Sequence, residues 1–152
     1  MRVSHWIFLA GIIIVGLVLP PLLMVTGSNA EFVSPLFWLL IGASFFCERF
    51  GAMHLQLYST SNRIIWHIAN GVTALIAIIT VWALYGLVGI FAFPLGYLVS
   101  NLGFYSWYSA KHSYREFQLD WITFERKTSF APVASFFAFV AISLLLPLNL
   151  WI

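Results

Sequence analysis

Long apolar runs separated by short polar breaks make up almost the whole chain. The first, Trp6 to Thr26, matches the ~20 residues a helix needs to cross the hydrocarbon core of a bilayer. Pro20 and Pro21 in its second half lack amide donors and predict a kink. A polar turn with Gly27, Asn29 and Glu31 precedes the second run, Pro35 to Tyr58. A tight connection from Ser59 to Arg63 leads into a stretch from Ile64 to Tyr108 that is far too long for one crossing. Gly86 and Gly89 punctuate it, which predicts separate spans over Ile64 to Tyr85 and Leu87 to Tyr108. Ala131 to Trp151 is the fifth run, bent near Pro147. The pattern predicts an all-α, polytopic bundle of five transmembrane helices in a single membrane domain covering 1–152. A cleaved signal peptide is the rival reading of residues 1–30, since Arg2 is a basic start and Ser28-Asn29-Ala30 resembles a cleavage site.

The polar stretch from Ser109 to Ser129 has its own pattern. On a helix, Tyr114, Phe117, Trp121 and Phe124 share one face while Arg115, Glu116 and Asp120 point elsewhere. This predicts an interfacial helix over 112–125, lying in the headgroup layer. An ordinary loop with aromatic anchors is the alternative.

Composition agrees with lipid as the solvent. Hydrophobic residues make up 62% of the chain and charged residues only 8%, against roughly 25% charged in soluble domains. A net charge of +2 with no basic run argues against nucleic acid as a partner. One cysteine, Cys47, excludes an internal disulfide and any multi-cysteine metal site. Charge placement then orients the bundle. Arg2, Arg63, Lys111, Arg115, Arg126 and Lys127 all fall on alternate connections, and the other connections have no Lys or Arg. The positive-inside rule predicts a cytoplasmic N-terminus in a plasma or inner membrane.

Candidate chemistry lies in the second run, where Cys47, Glu48, Arg49, His54 and Gln56 interrupt the apolar pattern. Ionisable groups inside a membrane are costly unless paired or wet, so they mark candidate sites. Glu48 and Arg49 are about 100° apart on a helix and cannot neutralise each other. A rise of 1.5 Å per residue puts Glu48 about 15 Å and His54 about 6 Å from the cytoplasmic edge. His67 and Asn70 on the third span, and Asn101 and Tyr105 on the fourth, fall within about 5–11 Å of that edge. The first and fifth spans bring no ionisable group to this layer. Glu48, Arg49, His54, Gln56, His67, Asn70, Asn101 and Tyr105 therefore form the expected cytoplasm-facing polar cluster.

His54 and His67 are weak candidates for metal or haem ligation, as no histidine, cysteine or acidic spacing is diagnostic of a metal. The sequence has no glycine-rich phosphate loop, HExxH or GxSxG. No catalytic residue or cofactor is assigned. The leading expectation is a non-catalytic subunit of a larger membrane complex, or a self-oligomer, with membrane lipid and other transmembrane chains or copies of itself as partners. The alternative is a carrier or intramembrane enzyme that binds a lipid, quinone or similar amphiphile. A haem-bearing electron-transfer subunit is a third.

Overall fold

A computed structural model describes residues 1–28, 30 and 32–145; 87% of the described residues are helical and none forms a strand. The fold is all-α. Three helical segments are long and apolar enough to cross a membrane: Arg2–Val25 (α1), Pro35–Ser59 (α2) and the run Trp66–Glu116. That run is not straight. It comprises α3 (Trp66–Val88), a 3₁₀ turn (Gly89–Phe91), α4 (Ala92–Ser100), one π-helical turn (Asn101–Tyr105) and α5 (Ser106–Glu116). The short α6 (Trp121–Thr128) and the apolar α7 (Phe130–Leu145) complete the described chain. The expected bend near Pro147 and end at Trp151 lie outside the described residues.

Local chemistry explains the main boundaries. Ser34 caps α2 by accepting a hydrogen bond from the Phe37 amide at 3.4 Å, and Pro35 takes the first helical position. Gly89 ends α3 with φ +57° and ψ −131°, a conformation that side chains with a Cβ resist. The chain reverses there, so α3 and α4 pack antiparallel, with Tyr85 and Phe93 rings 6.1 Å apart beside the turn. Gly96 permits the close approach. A Cβ at that position would stand 2.6 Å from Val81 Cγ2 and 3.1 Å from the Ala77 carbonyl oxygen.

The second main contact is between α2 and the α4–α5 limb. The Ser106 hydroxyl donates to the Cys47 carbonyl at 2.9 Å, and the Asn101 amide to the Ser44 carbonyl at 3.4 Å. Higher residue numbers meet higher ones, so these limbs run parallel, as two helices separated by one returning helix must. The offset is 57 residues at Asn101 and 59 at Ser106, and the π turn between them takes up extra chain. Tyr105 packs on Gly51, where a Cβ would come within 2.5 Å of its ring. Helix α1 lies antiparallel along α2, with Trp38 Nε1 donating to the Ile12 carbonyl at 3.2 Å. Phe46 joins this layer to Leu9, Ile12 and the stacked ring of Phe136 from α7.

Two expectations need correction. Helix α1 begins at Arg2 rather than Trp6, which brings His5 into the bundle and ends the idea that the first span carries no ionisable group. The single interfacial helix expected over 112–125 is two helices. Gln118 adopts a left-handed φ of +50°, and Asp120 starts α6 by accepting from the Thr123 amide at 3.0 Å.

Candidate functional site

The polar residues of the bundle separate into two regions. The first is where the ends of α1, α2, α5 and α6 meet. His54 is fully buried near the end of α2, and both ring nitrogens have partners: Nδ1 lies 2.5 Å from Ser113 Oγ on α5, and Nε2 lies 3.0 Å from Glu125 Oε1 on α6. Glu125 is saturated from several sides. The Tyr114 hydroxyl donates to the same Oε1 at 2.7 Å, and the Thr128 hydroxyl reaches Oε2 at 3.3 Å. Nε2–H can donate to the carboxylate, while Nδ1 pairs with the Ser113 hydroxyl, which also reaches the Ala110 carbonyl at 3.1 Å.

Burial alone would raise the pKa of Glu125. The hydrogen bonds from His54, Ser129 and Tyr114 outweigh it, and the carboxyl sits below its ordinary 4.5. The chain of hydroxyl, imidazole and carboxylate has the connectivity of a nucleophilic triad, but Ser113 is 0% exposed. Its Oγ is closed off as the helices stand, and the contacts through His54 lock α2 to α5 and α6.

His5 from α1 adjoins this lock. It is 0% exposed, within electrostatic reach of Glu125 and His54, and its ring lies 5.5 Å from Phe46 and 6.2 Å from Phe50. Neither ring nitrogen has a hydrogen-bond partner among the described residues.

The second region is near the middle of α2. Glu48 and Arg49 are half-buried there and make no hydrogen bond or ion pair with any described residue. Both are within electrostatic reach of Tyr105, and Glu48 also of Tyr97. Beyond them a groove of about 850 Å³ opens between α2 and α3, floored by α4 and lined by Phe37, Ile41, Phe45, Val81, Trp82 and Tyr97 among others.

The sequence-derived candidates are thus dispersed. His54 belongs to the lock. Glu48 and Arg49 are within electrostatic reach of Tyr105 and lie one helical turn past Ser44 and Phe45, which line the groove; none of the three lines it. Asn101 is buried, donating to the Tyr97 and Ser44 carbonyls while its Oδ1 has no partner among the described residues. Gln56, His67 and Asn70 are exposed and do not join His54. Among the described residues no group of three His, Cys, Asp or Glu side chains could hold a metal ion, and His54 and His67 do not converge on one. Sequence reasoning missed Glu125, Ser113, Tyr114 and His5. The depth of His54, about 6 Å from one edge, was the available signal, because a connection at that edge can fold back onto it.

No protein-family model, curated protein or solved structure matches the chain.

Two outcomes follow from the lock. Glu125 is held below its ordinary value, so its stabilisation is complete above pH 4.5 and is lost as pH falls toward the lower folded value. Hydrogen exchange of residues 121–128, corrected for intrinsic rates, should accelerate across that window by roughly ten- to a hundredfold, the equivalent of a charge-assisted hydrogen bond of about 1.5–3 kcal/mol. Unchanged protection down to pH 3 would contradict the lock. His5→Phe should raise thermal stability by about 1 kcal/mol, because it replaces an unpartnered buried imidazole with an apolar ring. A loss of that size would instead mean that the imidazole has a polar partner.

Proposed function

We propose that this is an integral membrane protein of five spans with its N-terminus in the cytoplasm, and that it binds an amphiphile in the groove between α2 and α3. The observation that carries this reading is an apolar trough lined by Ser44 and Phe45 of α2, whose next turn carries Glu48 and Arg49 without an ion pair to any described residue. A volume of about 850 Å³ falls within the roughly 300–1,000 Å³ typical of ligand sites. Phe37, Phe45, Trp82, Phe93 and Tyr97 give the trough an aromatic wall. Transmembrane helices pack closely through small residues, and a wall of large rings suits a flexible acyl or prenyl chain better than a helix. Glu48 and Arg49, one turn further along α2 than the groove-lining Ser44 and Phe45, would offer one acceptor and one donor set to a polar head that extends past the trough. Binding there would offset the cost of holding both charges in hydrocarbon.

A second reading is the membrane-subunit role. Gly71, Gly86 and Gly103 favour it, since a Cβ at any of them would meet nothing within 4 Å. Such open glycines permit close approach by a helix of another chain or copy.

Native mass spectrometry of protein extracted from its membrane separates the two. The proposal expects a retained amphiphile of several hundred daltons. It should be lost from Ala77→Trp, which fills the groove, and its occupancy should fall at least about tenfold in Glu48→Gln/Arg49→Met. A wild-type particle holding only polypeptide, whether single or associated, would overturn the amphiphile reading; retention of a second chain would support the other.

A further inference from the structure

A separate concavity lies at the basic end of the bundle, between the first turn of α1 and the junction of α6 with α7. Arg2, Arg126 and Lys127 converge on it with Thr123, and Ile122 and Ala131 supply an apolar side; its volume is about 490 Å³. Arg2 stands more than a hundred residues from Arg126 and Lys127 in sequence, and no acidic side chain among the described residues lines the notch.

Two other cations in this region are already engaged. Arg63 pairs with Glu116 at 2.8 Å, and Lys111 lies 4.5 Å above the Trp107 ring. The nearby acids are engaged too. Glu125 is held by His54, Tyr114 and Thr128, and Asp120 caps α6. Arg2, Arg126 and Lys127 form no ion pair with any described residue. Three like charges facing one small volume repel one another, and an anion from outside would relieve that repulsion.

The surroundings indicate what kind of anion. Ile122 in the notch is 57% exposed, and Trp121 and Phe130, the sequence neighbours of Ile122 and Ala131, are exposed by 60% and 68%. Exposed aromatic and aliphatic side chains beside cations, next to the start of an apolar helix, suit the headgroup layer of a bilayer. A free phosphate would use only the cations and the Thr123 hydroxyl. A phospholipid would also cover Ile122 and Ala131 with its glycerol and first methylenes. The Glu125–His54 contact holds α6 by its opposite face, so Arg126 and Lys127 are presented without further ordering. We propose that this notch is a binding site for the phosphate of an anionic phospholipid in the adjoining leaflet. The proposal does not depend on the groove between α2 and α3.

The test uses the full chain in detergent, with phosphatidylglycerol and phosphatidylcholine of matched acyl chains in equal amounts, read by native mass spectrometry. Wild-type protein and Lys111→Gln/Arg115→Gln, whose cations lie outside the notch, should retain phosphatidylglycerol at least about tenfold more than phosphatidylcholine. Arg2→Gln/Arg126→Gln/Lys127→Gln should bring the two lipids to parity. Parity in the wild type, or selectivity surviving in the triple variant, would overturn the proposal. Displacement of the lipid by millimolar inorganic phosphate would also overturn it, in favour of a free-anion site. A variant-free arm guards against misfolding: photoactivatable phosphatidylglycerol in vesicles should label residues 122–131, and labelling confined to other segments would refute the assignment.

Discussion

Hydrocarbon supplies no hydrogen bonds, so every polar group that folding takes away from water must find a partner inside the protein. In this bundle the requirement acts mainly along one seam. Ser44, Cys47 and His54 of α2 meet Asn101, Ser106 and Ser113 on the limb that runs parallel to it. Two of the three contacts use a backbone carbonyl that helical bonding already occupies once. The third uses a side chain that would be stranded without it. The π-helical turn at Asn101–Tyr105 lies within this seam and keeps the two limbs in register across the step in offset.

The rest of the architecture follows from that seam. Helix α3 returns beside α4 because Gly89 reverses the chain and Gly96 admits close contact. Helices α2 and α3 then both pack against the α4–α5 limb, and the space between them remains open as the groove. At the other end, His54 has a second nitrogen left over after Ser113, and Glu125 of α6 meets it. One imidazole therefore ties α2 to α5 and α6, through partners 59 and 71 residues away. The same contact decides how α6 presents Arg126 and Lys127 to the notch beside Arg2.

The sequence made some of this legible, and the limits have physical causes. Apolar run length and the Gly86–Gly89 break anticipated the helices, because spanning length and chain reversal are local properties. His54 was legible as an ionisable interruption of an apolar run, but its full burial was not, because a depth of about 6 Å from one edge suits a wet ring equally well. The identity of its partner was not legible either, because Glu125 stands 71 residues away and no periodicity links the two. His5 was missed because hydropathy marks where the apolar run starts, whereas the helix begins a turn earlier. Matching depth placed His67 and Asn70 near His54, but depth leaves rotation about the helix axis undetermined, and both residues face outward. Gln118 broke the expected interfacial helix by a backbone conformation that its residue type does not announce.

The central claim is that His54 and Glu125 form a buried pair that fastens α6 to the bundle. A double-mutant cycle with His54→Leu and Glu125→Leu, read as thermal unfolding of the full chain in detergent, tests it most directly. Each single variant leaves a polar partner stranded, so each should lose about 2–4 kcal/mol, and the double variant should lose less than the two losses added together by at least about 1 kcal/mol. Losses that simply add would show that the two side chains act independently and would contradict the account.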